Sequence, residues 1–243
     1  MNSAGYNGNG HDPEHEPEDD DNIIRLPLQD NRPPPRREPM FNLPPATKYL
    51  ILLLVAVHVA LQILSPAKQD WIIMHFGFVA GIYTGHAPFT WMAIAAPLTY
   101  MLLHGSWLHI GANSFMLAAF GAGVERLMGS VKMLILFVLC GLAAIAVQFA
   151  VAPFLTDPVI GASGGISGLF AAVLLMMQKG SYVQPGRYGI WPLVIVFIVM
   201  QAGFGSSGVG PGGGNIAWVA HIGGFLAGLA LLKPVLRLHL GRR

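Results

Sequence analysis

Acidic residues are nearly missing once the first 38 positions are passed: of twelve Asp and Glu, only Asp70, Glu125 and Asp157 lie beyond Glu38. Charged residues make up 11% of the 243 positions, against 53% hydrophobic. A water-soluble domain covers its surface with about 25% charged residues, so the chain after about residue 45 cannot face water all round. That excludes a soluble globular enzyme. Cysteine occurs once, as Cys140 within an apolar run, which excludes an internal disulfide and a paired-cysteine metal site. The net charge of +2 conceals two opposite segments: four arginines against nine acids up to Glu38, then ten Lys/Arg against three acids.

Residues 1–45 carry Asn/Gly repeats, an acidic run from Asp12 to Asp21 and the Pro33-Pro34-Pro35 cluster, with few aliphatic side chains to bury. This composition predicts a disordered, acidic and proline-rich cytoplasmic tail. It resembles neither a secretory signal nor an Arg-rich transit peptide. A membrane domain is expected over 46–235, and a short basic cytoplasmic tail over 236–243.

A helix needs about 20 apolar residues to cross a hydrocarbon core about 30 Å thick. Six uncharged runs of about 15 residues or more, bounded by charge, Pro or Gly, are candidates: approximately Lys48 to Leu64, Pro97 to Val124, Val131 to Ala152, Gly161 to Gln178, Ile190 to Phe204 and Ile216 to Leu232. The expected fold is therefore all-α, a polytopic bundle of six transmembrane helices. The loop between the first two runs holds Trp71, Phe76, Phe78, Tyr83, Phe89 and Trp91 and is expected to lie in the membrane interface. Lys and Arg gather on alternate connections: Arg36, Arg37 and Lys48; Arg126 and Lys132; Lys179 and Arg187; and the C-terminal tail. The positive-inside rule then makes both termini cytoplasmic, and an even number of spans agrees. The expected location is a bacterial inner membrane.

Polar side chains in such runs mark function by default, because hydrocarbon offers them no water. Span two contains His104, His109 and Asn113, span four opens with Gly161-Ala162-Ser163-Gly164, and span six contains His221. With the direction assigned above, all three groups lie in the outer part of their helices. Ser163 and His221 fall roughly 5 and 8 Å from their helix starts, and His109 and Asn113 roughly 18 to 24 Å along a longer helix beginning near Pro97. Gly224 and Gly228 share the face of His221, and Gly164 and Gly168 border that of Ser163, which lets helices four and six approach closely. His109 and Asn113, four apart, share a helix face, whereas His104 is expected about 140° away.

This set suits acyl transfer. A serine hydroxyl becomes nucleophilic when a neutral imidazole removes its proton, and Ser163 and His221 supply that pair. Asn113, His109 and the backbone N–H of Ser163 can donate to the oxyanion of a tetrahedral intermediate, and the helix N-terminus adds positive partial charge there. Gly161 and Gly164 permit a tight turn and close approach of a substrate backbone.

The motifs GASG and ISGL in span four, HxxxxHxxxN in span two and AHxxG in span six, in that order and with a long loop after the first span, resemble those of the rhomboid intramembrane serine proteases. The similarity covers about residues 46 to 235. It implies Ser163 as nucleophile, His221 as general base, His109 and Asn113 as oxyanion partners and a mainly structural role for His104. It also implies that Glu125 stabilises a cytoplasmic connection. Some members place a Trp-Arg pair in the first loop and an aromatic four residues after the nucleophile; here that loop lacks Arg and the position is Ser167. No acid is available within the spans to orient His221, so the pair would be a dyad. The expected substrates are transmembrane proteins in a lipid bilayer, with no cofactor, metal or nucleic acid. The glycine-rich stretch Gly205 to Gly214 is expected to form a mobile loop over the site.

Other readings of the same residues explain less of the pattern. Alone, Ser163 is more often a helix cap or a packing residue. His58, His75 and His86 have no motif partners, so interface placement or packing accounts for them. A zinc protease or metal transporter using His104, His109 and His221 would lack both an HExxH motif and a carboxylate at the membrane centre. A transporter of inverted repeats would show paired broken helices, and no internal repeat is evident. A catalytically inactive relative that binds membrane proteins would share the fold; the presence of both Ser163 and His221 argues against it.

Overall fold

The computed structural model describes residues 42–179, 189–207 and 217–239. The acidic tail, apart from its last four positions, lies outside the described residues, as does the expected mobile loop from residue 208 onward. The described residues are helical and contain no strand; Phe78 and Val159 form an isolated antiparallel bridge. Proline starts the first two helices, α1 (Pro45–Gln62) and α2 (Pro66–Phe76), where its fixed φ suits the first turn and its missing N–H costs nothing. The next long helix, α3, runs over Trp107–Met116, the π turn Leu117–Gly121 and Ala122–Met128. Gly129, at φ 84°, turns the chain into α4 (Ser130–Val151). There follow α5 (Ser163–Lys179), α6 (Trp191–Ser207) and α7 (Ala217–Leu236).

Among the described residues, three helices are long and apolar enough to cross a membrane: Pro45–Gln62, Ser130–Val151 and Trp218–Leu236, with mean hydropathy of 1.5, 2.7 and 1.7. The apolar α5 has 17 residues, about 26 Å of rise. The second apolar run departs from the sequence expectation. It is not one helix from Pro97: single turns at Ala96–Thr99 and Tyr100–Leu102 give way to an extended Leu103, and α3 starts only at Trp107. Ser106 caps it, its hydroxyl accepting the His109 N–H at 3.2 Å. The helix α6 continues to Ser207, past the expected end near Phe204.

The core sits where α4, α5 and α7 meet, around Leu136, Phe137, Cys140, Ala144, Leu169 and Phe225. Glycine makes this crossing possible. A Cβ on Gly224 would overlap the carbonyl oxygen of Gly164, and one on Gly228 that of Gly168. The obstacle in both cases is backbone, which cannot rotate aside as a side chain would. Gly224→Ala is therefore expected to force α5 and α7 apart, costing roughly 1 to 3 kcal/mol as an overpacked core site does. Thermal unfolding in detergent measures it; an unchanged midpoint would contradict this packing.

Glu125, 4% exposed, ties the start of α1 to the end of α3. Its Oε1 accepts the Ala46 N–H at 2.9 Å and the Ser130 hydroxyl at 2.7 Å; its Oε2 accepts the Thr47 N–H and hydroxyl, both at 2.7 Å. A carboxylate from another helix thus satisfies N–H groups that α1 has no internal partner for.

The first loop is only partly a surface element. Trp71, Phe89 and Trp91 are exposed, but Phe78 is buried and its bridge to Val159 has bonds of 3.0 and 2.8 Å. Thr84 Oγ1 also donates to the Pro153 carbonyl at 2.9 Å. The loop therefore grips the segment that leads from α4 into Ser163.

Candidate active site

Ser163 opens α5, where the first backbone N–H groups have no partner within the helix. The turn before it depends on Gly161, whose φ of 124° L side chains rarely adopt. The Gly161 N–H donates to the Tyr100 carbonyl at 2.9 Å, and the Tyr100 hydroxyl donates to the Gly141 carbonyl at 2.7 Å. Tyr100 thereby joins α4 to the approach of α5.

His221 lies in the first turns of α7, opposite Ser163 across the glycine seam, and both side chains are half-buried. Ser163 Oγ and His221 Nε2 are 2.7 Å apart. The seam explains how: Gly164 and Gly224 bring the two backbones together beside the pair.

His109 and Asn113 stand on α3. A Cβ on Gly161 would lie 2.9 Å from His109 Nε2 and 3.6 Å from Ser163 Oγ, so the imidazole of His109 sits over Gly161 next to the serine. Asn113 is 6% exposed, and its Nδ2 is buried with no hydrogen-bond partner among the described residues. Because α3 starts at Trp107, these residues lie only about 3 and 9 Å along it, not 18 to 24 Å. That shorter path matches the depth of Ser163 and His221 on their own helices. The site is thus lined by the starts of α3, α5 and α7.

His104 is not on the helix at all. It occupies the turn before α3, with its ring 5.0 Å from that of His109 and inclined to it at 69°, so the expected 140° separation does not apply. Ser167, one turn into α5, is buried. Among the described residues no group of three or more His, Cys, Asp or Glu is placed to hold a metal ion.

The fold and the site define a class: an apolar helical bundle carrying a hydrogen-bonded serine and histidine at facing helix starts. The model of the Rhomboid domain matches residues 92–238, and the chain belongs to the rhomboid family. It is therefore an integral membrane protein with membrane-spanning apolar helices. It is 31% identical over 137 residues to the Rhomboid protease GluP of Bacillus subtilis, an alignment covering 56% of this chain and 26% of that protein. It is 30% identical over 164 residues to the chloroplastic Rhomboid-like protein 11 of Arabidopsis thaliana, covering 65% of this chain and 58% of the relative. With the human Rhomboid-related protein 3 it shares 27% identity over 147 residues, 58% of this chain and 36% of that one. The matched region thus spans between about a quarter and three-fifths of these relatives.

Several site supports escaped sequence reasoning. The Tyr100 carbonyl and the Phe78–Val159 bridge are backbone contacts, which leave no side-chain signature. Ser106 was legible as a cap ahead of an apolar run. His58, assigned above to interface or packing, is fully buried in α1 and reaches the turn before α3.

Proposed function

We propose that this protein is an intramembrane serine endopeptidase that hydrolyses peptide bonds in or near transmembrane segments of other membrane proteins. The observation that carries this reading is the 2.7 Å contact between Ser163 Oγ and His221 Nε2. It is what a nucleophile and its base require, and a binding-only relative has no use for it.

In this mechanism His221 Nε2 takes the Ser163 proton as Oγ attacks the scissile carbonyl carbon. The carbonyl oxygen becomes an oxyanion and is met by Asn113 Nδ2, by an N–H of His109 and by the Ser163 backbone N–H. Asn113 is well suited to this, because its donor is already desolvated and unspent. The imidazolium then returns its proton to the leaving amine as the C–N bond breaks, which leaves an acyl ester on Ser163. Water, deprotonated by His221, attacks that ester and frees the acid and the serine.

The proposal extends to topology. The helices α1, α3, α4, α5, α6 and α7 are taken as six spans with both termini in the cytoplasm, and the exposed Trp71, Phe89 and Trp91 as an interfacial belt. The dyad then lies below the outer surface of a bacterial inner membrane, where water can enter from outside. A substrate helix must unwind there to present its backbone to Ser163. The direct test is cleavage of a purified single-span reporter protein in proteoliposomes, with the products sized by mass spectrometry. Two fragments from a cut at the outer end of the span are expected; an intact reporter at high enzyme loading would contradict the reading.

A further inference from the structure

His58 is an imidazole in the last third of an apolar helix, 0% exposed, where leucine would pack at no polar cost. Its Nδ1 lies 3.2 Å from the carbonyl oxygen of His104, and its ring meets the Trp107 indole edge-on at 4.7 Å. His58 Nε2 is buried without a partner among the described residues. The tautomer protonated on Nδ1 donates to that carbonyl and leaves only a lone pair on Nε2, which is cheaper to bury than an N–H. The residues it grips are those of the turn that launches α3: His104, then the cap Ser106, then Trp107. Two and six residues past Trp107 stand His109 and Asn113. The turn is not helical, so its backbone bonds must come from outside, and His58 supplies one from α1.

We propose that His58 is a positioning residue for the oxyanion side of the site. By holding the His104 carbonyl it sets where α3 begins, and so where His109 and Asn113 stand relative to Ser163. Without its donor the buried carbonyl must turn toward another partner, and the helix start turns with it. Displacements of about an ångström at reacting groups lower turnover steeply while leaving substrate binding nearly intact. This inference rests on the protease reading above.

Shape and hydrogen bonding separate cleanly in two variants. In His58→Phe the ring remains and the donor is lost. In His58→Asn the ring is lost, but the amide nitrogen falls near the position of Nδ1. The test measures kcat and KM for the reporter in proteoliposomes with wild type, Ser163→Ala, His58→Phe and His58→Asn, together with thermal midpoints. Cleavage by wild type and not by Ser163→Ala upholds the protease reading independently of His58. On that background His58→Phe is expected to lose about 10-fold in kcat with KM within about twofold, and His58→Asn to recover to within about threefold of wild type. Should His58→Phe fail to fold, His58→Leu serves as the donor-less variant. Wild-type kcat in a donor-less variant, or better activity in His58→Phe than in His58→Asn, would overturn the proposal, since filling space would then be the whole role. A wild-type protein that cleaves nothing would overturn both readings together.

Discussion

Replacing Ser163 with alanine is expected to remove cleavage, and replacing His221 with alanine to remove it as completely. In the proposed mechanism the two residues act on one proton, so loss of either leaves the other without a task. Turnover in each variant is expected to fall by at least about 10⁴-fold, and the double variant to be no worse than the singles, because groups that work as a unit do not add. Neither change should disturb assembly. Both side chains are half-buried at helix starts, whereas the seam between α5 and α7 is built from Gly164, Gly168, Gly224 and Gly228. Expression, membrane insertion and thermal midpoint therefore serve as controls. Cleavage retained in purified Ser163→Ala or His221→Ala would remove the dyad from the mechanism.

Asn113→Ala is expected to lower kcat by about 10² to 10³, or roughly 3 to 4 kcal/mol of transition-state stabilisation, with a much smaller change in KM. The reasoning starts from its buried, unpartnered Nδ2. Burying such a donor without a bond destabilises the resting protein, so it is explained if the bond forms later, when negative charge develops on the substrate oxygen. For the same reason Asn113→Ala is expected to melt no lower than wild type. A raised KM at unchanged kcat, or a large loss of stability, would make Asn113 a structural residue. Measuring both constants with one reporter decides between these outcomes.

Much of the site was legible because hydrocarbon is an unforgiving background. Ser163, His221, His109 and Asn113 stand out in apolar runs, and the glycines beside Ser163 and His221 indicate which helices can approach. The start of α3 was harder to read. Residues from Pro97 to Leu103 are largely apolar and uncharged, and hydropathy does not distinguish an apolar helix from an apolar turn. Only Ser106, as a cap, signalled where the helix begins, and missing it placed His109 too deep and His104 on the wrong face. His58 carried a polar signal as strong as that of His221 but stood in no motif; its partner is a backbone carbonyl, and no sequence pattern reports one. The first loop was anticipated as an aromatic interfacial segment, yet Phe78 turns inward to bridge Val159, since a loop this close to the bundle can satisfy backbone groups there.

In the proposed mechanism the Ser163 hydroxyl is activated by His221. Labelling by a fluorophosphonate probe tests it without any knowledge of the substrate. In wild-type protein the probe is expected to modify Ser163 alone, as located by peptide mass spectrometry, and the His221→Ala variant should label at no more than the background rate. Equal labelling of wild type and His221→Ala, or labelling of a different residue in wild type, would mean that His221 does not activate Ser163.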